Sequence, residues 1–208
     1  MTDYVDTFNT ISAQMTAPGS QFGIMEKEIR GINYKVFENC PPSLREYYQL
    51  ALTMGYADRD FLVYENERYT FAQTLEEVAK LARVFIEKYE VKKGDRVVLL
   101  LRNYPEWIFG FMAATSLGAV VVPMNAWWET EELEYGLRDC GGSVILADDE
   151  RIRRLTGLIE KLELKIIAVR AASELPRGVS RYEEVTQGME TGALPDIAID
   201  PEDNAIIL

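Results

Sequence analysis

Histidine is absent from the 208-residue chain, and cysteine occurs only at Cys40 and Cys140. Without histidine there is no Ser-His-Asp arrangement, and both the commonest general base and the commonest zinc ligand are missing. Cys40 and Cys140 are too distant in sequence to form a metal knuckle, and reduced thiols in the cytoplasm are the expected state. No apolar run reaches the roughly 18 residues that would span a bilayer. The opening stretch "MTDYVDTFNTISAQ" lacks a basic segment ahead of an apolar one, so no secretory signal is expected. Basic residues are outnumbered, 22 against 34 acidic, for a net charge of −12. A chain with no overall positive field is not a nucleic-acid binder.

What remains is an ordinary globular composition, 48% apolar and 27% charged. The chain can hold one large domain or two small ones. Residues 1–40 read as an irregular lead-in, turn-rich at "TAPGSQFG", with one short strand in "GINYKVFEN". The remainder, 41–208, reads as an α/β domain. It opens with a helix over "PPSLREYYQLALTMG", capped by Ser43 and ended at Gly55. "FLVYEN" and "ERYTF" predict a hairpin turning at Asn66-Glu67. Thr70 and Gln73 suit a capping box. From there Phe71, Leu75, Val78, Ala82, Phe85 and Tyr89 recur at helical spacing.

Beyond "VKKGD" the pattern changes. "RVVLLL", "AVVVPM", "SVILA" and "KIIAV" are short apolar runs, each fit for a strand buried on both faces. Between them "NYPEWIFGFMAATSLG", "ETEELEYGLRDCGG" and "DDERIRRLTGLIEKL" predict helices. Asn103 is the expected cap of the first, with Trp107 packed against the sheet. Such alternation predicts βαβ crossovers and a three-layer domain around a mostly parallel sheet. A short helix is expected near Tyr182, and "NAIIL" at the end starts another strand.

The run from "RYTF" through "GDRVVLLLRNYPEW" and "VVVPMNAWWETEEL" to "LADDE" resembles the N-terminal part of the AMP-forming acid–CoA ligases. Their superfamily includes peptide-synthetase adenylation domains and luciferases. Single pieces of the run are unspecific, whereas their order and spacing over some 80 residues are not. The lead-in is similar to a fatty-acyl branch of that family. The resemblance implies a two-step reaction: a carboxylate and ATP give an acyl-adenylate, and the CoA thiol then displaces AMP. ATP, Mg2+ and CoA are the implied cofactors of the intact enzyme. It also implies that the chain is a piece cut just before a Ser/Thr/Gly-rich phosphate loop. The acyl pocket, a metal-binding Glu and a mobile lid with a catalytic Lys would follow. The segment alone is then expected to bind no cofactor, to hold no catalytic residue and to catalyse no adenylation. A homodimer is compatible with this reading.

Ligands of parallel sheets bind in the loops that follow the carboxyl ends of the strands. Two such loops carry candidate residues. In "NAWWE" the resemblance implies a border of the tunnel for the pantetheine arm of CoA, formed by Asn125, Ala126, Trp127 and Trp128. Both tryptophans can equally be packing aromatics. In "DDERIRR", Arg151 and Arg154 share a helix flank while Arg153 points elsewhere. The resemblance implies CoA phosphates there, and a solvated face paired with Asp148, Asp149 and Glu150 is the plainer alternative. The resulting expectation is an acyl-CoA synthetase acting on a fatty acid. Its rivals are an adenylating enzyme with a carrier-protein thiol or amine acceptor, and a non-catalytic α/β binding module.

Overall fold

A computed structural model describes residues 2–208, which divide into two compact units, the first running to Pro42 and the second from Ser43. The first unit corrects the expectation of an irregular lead-in. It holds helix α1 (Thr2–Met15) and a hairpin of β1 (Ile24–Ile29) and β2 (Ile32–Phe37). Arg30 and Gly31 make the turn, with φ of 51° and 80°. Two positive φ values are what a tight two-residue hairpin requires, and glycine takes one without strain.

The second unit begins with α2 (Leu44–Thr53), whose cap Ser43 accepts from Arg45 N at 3.2 Å. A second hairpin follows, of β3 (Asp60–Tyr64) and β4 (Glu67–Thr70). It turns one residue earlier than expected, at Glu65 and Asn66, with Glu65 in the left-handed region at φ 47°. Helix α3 (Phe71–Glu87) carries the predicted capping box: Gln73 N donates to Thr70 Oγ1 and Thr70 N to Gln73 Oε1.

The sheet has five parallel strands in the order β6-β5-β7-β8-β9. These are β5 (Arg96–Leu100), β6 (Val120–Pro123), β7 (Val144–Asp148), β8 (Lys165–Val169) and the short β9 (Val179–Arg181). Alternate residues build two cores. Val97, Leu99, Val121 and Leu146 face α3 and α4 (Pro105–Ser116), together with the short helix α7 (Tyr182–Thr186). Val98, Leu100, Val122 and Ile145 face α5 (Thr130–Cys140) and α6 (Asp149–Leu155). Strands covered on both sides need apolar residues at both phases of the pleat, hence the unbroken apolar runs. Gly110 lets α4 lie close on the sheet, since a Cβ there would stand 2.8 Å from Leu99 and 2.9 Å from Leu146.

Three further expectations are corrected. Pro105 opens α4, so its cap is Tyr104 rather than Asn103, and no side chain caps it. The helix expected over "DDERIRRLTGLIEKL" stops at Leu155 and tightens into a 3-10 turn, Thr156–Leu158, around Gly157. "NAIIL" forms a single bridge rather than a strand. Ile206 pairs with Val121, and Val121 N donates to Ala205 O at 2.9 Å.

An apolar cavity of about 430 Å3 lies between α2, α3 and α4, lined by Tyr48, Phe71, Leu75 and Phe111. Thr74 also lines it, and its hydroxyl is buried without a hydrogen-bond partner. Thr74→Val removes that unmet group at little change of shape. The expected result is a gain of about 1 kcal/mol in unfolding free energy. It is checked by a higher urea midpoint at unchanged m; an unchanged or lower midpoint contradicts the burial.

Candidate functional site

β5, in the middle of β6-β5-β7, leads into α4 on one face, while its neighbours lead into α5 and α6 on the other. Such a reversal opens a crevice at the carboxyl ends of the strands, where ligands of open α/β sheets bind. A cavity of about 410 Å3 lies there. The loop after β5 supplies Leu101, Arg102, Asn103 and Tyr104; the loop after β6 supplies Ala126 and Trp127; α6 supplies Arg151; and β3 supplies Tyr64.

The loop after β6 is shaped by its own polar groups. Trp127 N donates to Asn125 Oδ1 at 2.9 Å, and Trp128 N to Asn125 O at 3.1 Å, a local turn of the kind asparagine favours. The structure parts the two tryptophans. Trp127 is 72% exposed and lines the cavity. Trp128 packs into the second core against Gly136, where an added Cβ would lie 2.9 Å from its ring.

Arg151 and Arg154 turn towards this loop. Arg151 Nε donates to Ala126 O at 2.9 Å, and its Nη1 meets Glu150 at 2.9 Å and both oxygens of Asp148 at 3.3 Å. Arg151 is only 1% exposed. Arg154 Nη1 donates to Ala126 O and Trp128 O, both at 3.0 Å, and Nη2 to Glu150 at 2.9 Å. Arg153 is exposed. Asp148 is buried, caps α6 through Arg151 N, and also accepts from Arg102 N at 3.0 Å. The two arginines thus fasten the 125–128 loop to α6. A guanidinium's planar fork is suited to holding several acceptors in fixed directions.

Sequence reasoning missed a second cluster on the same rim. Arg170, at the end of β8, donates through Nε to Glu106 at 3.0 Å and through Nη1 and Nη2 to Glu67 at 2.7 and 2.8 Å. Its guanidinium lies 5.1 Å from the ring centres of both Tyr64 and Tyr104, which meet edge to face. Hydrogen bonds from Arg170 hold the Glu67 carboxyl below its ordinary range, and those to Glu67 hold Arg170 more firmly protonated. Burial, aided by the Glu67 carboxylate, pushes the Tyr69 phenol up to about 12. The three partners lie 64 and 103 residues apart in the chain, so no local motif signals them.

Arg102 was also overlooked. Its side chain is 57% exposed and reaches Glu150 at 3.6 Å, an ion pair too long for a hydrogen bond. Among the described residues no group of three or more His, Cys, Asp or Glu is placed to hold a metal ion. No helix among them is long and apolar enough to cross a membrane.

Comparisons with known proteins bear on this geometry. Residues 53–208 match the profile of the family described as AMP-binding enzyme. A long-chain-fatty-acid–CoA ligase of Salmonella typhimurium is 32% identical over 137 residues, which are 64% of this chain and 24% of that protein. The 4-coumarate-CoA ligase 2 of Narcissus pseudonarcissus is 29% identical over 142 residues, 65% of this chain and 25% of that protein. A crystal structure of an anthranilate CoA ligase with anthranoyl-AMP superposes with a TM-score of 0.68 at 22% identity, covering 76% of this chain and 30% of the other. That likeness is one of fold. The chain therefore spans about a quarter of the length of these curated relatives. With three quarters of its residues under the family profile, the chain belongs to the family of AMP-binding enzymes.

Proposed function

We propose that this chain is part of an ATP-dependent acid–CoA ligase that acts on a fatty acid in the cytoplasm. The observation that carries the proposal is the family match over residues 53–208, lying on a sheet whose switch-point crevice is lined by the loops expected to meet substrate. In the first half-reaction a carboxylate oxygen attacks the α-phosphorus of ATP, and the bond to the β-phosphate oxygen breaks, releasing pyrophosphate. In the second the CoA sulfur attacks the acyl carbon, and the bond to AMP breaks. Neither step needs a histidine or a protein nucleophile; both need positioning and charge neutralisation. Among the described residues no group of three or more His, Cys, Asp or Glu is placed to hold the implied Mg2+.

Within this reading the 125–128 loop borders the path of the CoA thiol arm. Asn125 and Ala126 offer polar and small surface there, and Trp127 an exposed aromatic face. Trp128 sets the loop's depth. Arg151 and Arg154 serve CoA by holding the loop carbonyls that fix its shape. The fatty-acid choice leans on the Salmonella typhimurium relative, while the Narcissus relative is named for an aromatic acid.

The test uses the full-length protein and a panel of aliphatic and aromatic acids. Acid-dependent exchange of labelled pyrophosphate into ATP, with CoA-dependent AMP release strongest for long aliphatic acids, is the expected result. Residues 1–208 alone should give neither signal. Strong exchange by 1–208 alone, or no exchange with any acid by the full-length protein, would remove the proposal. A preference for aromatic acids would remove only the fatty-acid part.

A further inference from the structure

Two apolar surfaces lie bare, one a helix stripe and the other a groove between helices. We infer that α1 of one copy of this chain seats in the α2–α3–α4 groove of a second copy, and that the second returns its own α1, giving a symmetric dimer. The inference does not depend on the acid–CoA ligase reading and adds an interaction surface to it.

The stripe belongs to α1. Tyr4, Phe8, Ile11 and Met15 follow one another at steps of four, three and four residues, which aligns them along one side of a helix. They are 83%, 69%, 51% and 48% exposed, so no described part of the chain covers them. The groove surrounds the apolar cavity of about 430 Å3. None of the residues of α2 is buried, although a helix draws most of its stability from an apolar face packed on something else. Tyr47 and Leu50 of α2, with its C-cap Met54, line the cavity while 60%, 41% and 56% exposed. Phe71 of α3 and Phe111 of α4 line it from the other side.

Charge and area select the occupant. α1 carries Asp3 and Asp6 and no basic residue, whereas a helix that lies on a membrane surface presents Lys and Arg to the headgroups. A small apolar ligand in the cavity leaves the stripe of α1 bare. An amphipathic helix laid in an apolar groove covers both surfaces at once, with anchors at three- and four-residue steps. At roughly 200 Å2 for an aromatic side chain, Tyr4 and Phe8 alone leave about 300 Å2 uncovered. One seating, counted on both partners, hides roughly twice that, short of the about 1,200 Å2 at which specific stable interfaces begin. Two reciprocal seatings reach it. A twofold axis imposes that reciprocity, because the same surfaces then serve on both copies.

The full-length protein is tested in solution, where the wild type should be dimeric by analytical ultracentrifugation. Phe8→Glu and Leu50→Glu, both at exposed positions, should each raise the dimer dissociation constant about tenfold or more, since a carboxylate then enters an apolar contact. Tyr135→Glu, 72% exposed on α5 at the other face of the sheet, should leave it unchanged. Mixing the Phe8→Glu and Leu50→Glu proteins should restore part of the association, because the intact α1 of one fits the intact groove of the other. Misfolded variants cannot give that rescue. Differently tagged copies carrying Ile11→Cys and Met54→Cys, with exposed Cys40 replaced by serine, should join in a disulfide-linked pair under a mild oxidant. A monomeric wild type, a dimer indifferent to either glutamate, or no rescue on mixing would overturn the inference. So would a disulfide formed within a single chain that carries both substitutions. Flotation of the wild type with phosphatidylcholine vesicles, abolished by Phe8→Glu, would assign the stripe to a lipid surface and also overturn it.

Discussion

Arg151→Met is expected to lower the unfolding free energy by about 3–5 kcal/mol, the usual cost of removing one partner from a buried charged pair. Asp148, at 5% exposure, would lose its guanidinium partner, and Ala126 O would lose its 2.9 Å donor. For a chain of this length the melting temperature should fall by roughly 10 °C. Arg151→Lys should recover little. A single ammonium cannot reach the carbonyl and both acids along the directions a fork provides. Chemical denaturation followed by tryptophan fluorescence measures the loss. Because the 125–128 loop carries two of the three tryptophans, native emission should shift as well. A loss below about 1 kcal/mol would match an exposed arginine, for which surface ion pairs are worth that little, and would contradict the buried geometry.

Arg170→Met should cost about 3 kcal/mol near neutral pH, chiefly through Glu106, which is 8% exposed and would be left unpaired. The pH dependence separates this from simple loss of packing. In the wild type the carboxyl of Glu67 is held below its ordinary value by Arg170. That contribution is present above the unfolded carboxylate value of about 4.3 and is lost as pH falls through the lower folded value. In the variant that contribution is absent at every pH. The gap between the two proteins should therefore narrow on acidification. At the other limb, Tyr69 is raised to about 12, so its contribution is present below the unfolded value and declines as pH rises through the folded one. Unfolding curves of both proteins at several pH values test this. A gap that stays constant from neutral to acid would rule out the charge network as its cause. The same substitution also removes the guanidinium that lies 5.1 Å from the ring centres of Tyr64 and Tyr104 on the crevice wall.

The second unit was legible in the chain because its strands and helices announce themselves locally. Four short apolar runs separated by helical patterns already dictate buried parallel strands with covering helices. The capping box at Thr70 and Gln73 and the cap at Ser43 follow from residue types three or fewer positions apart. The loops that line the crevice could be picked out because they follow the carboxyl ends of such strands. Local signals also misled. Asparagine at 103 is a good cap by type, yet Pro105 sets where α4 starts. Of the lead-in hairpin only β2 is legible, within "GINYKVFEN"; its partner β1, "IMEKEI", hides because it is half exposed and lacks the apolar run of the inner strands.

Whether an arginine holds a loop or stays exposed was decided only in three dimensions. The spacing of Arg151 and Arg154 predicts a shared flank, and it is right about that. It cannot reveal that the carbonyls of Ala126 and Trp128, more than 20 residues away, lie within 3.0 Å of them. Nor can it show that Arg102 on β5's loop is left exposed beside them, or that Arg170 closes on Glu67 and Glu106. Hydrophobic period and capping are properties of neighbours along the chain, so the sequence alone determines the elements and their buried faces. Pairing of charges is a property of neighbours in space, and it waits on the sheet order β6-β5-β7-β8 that brings the ends of those strands together.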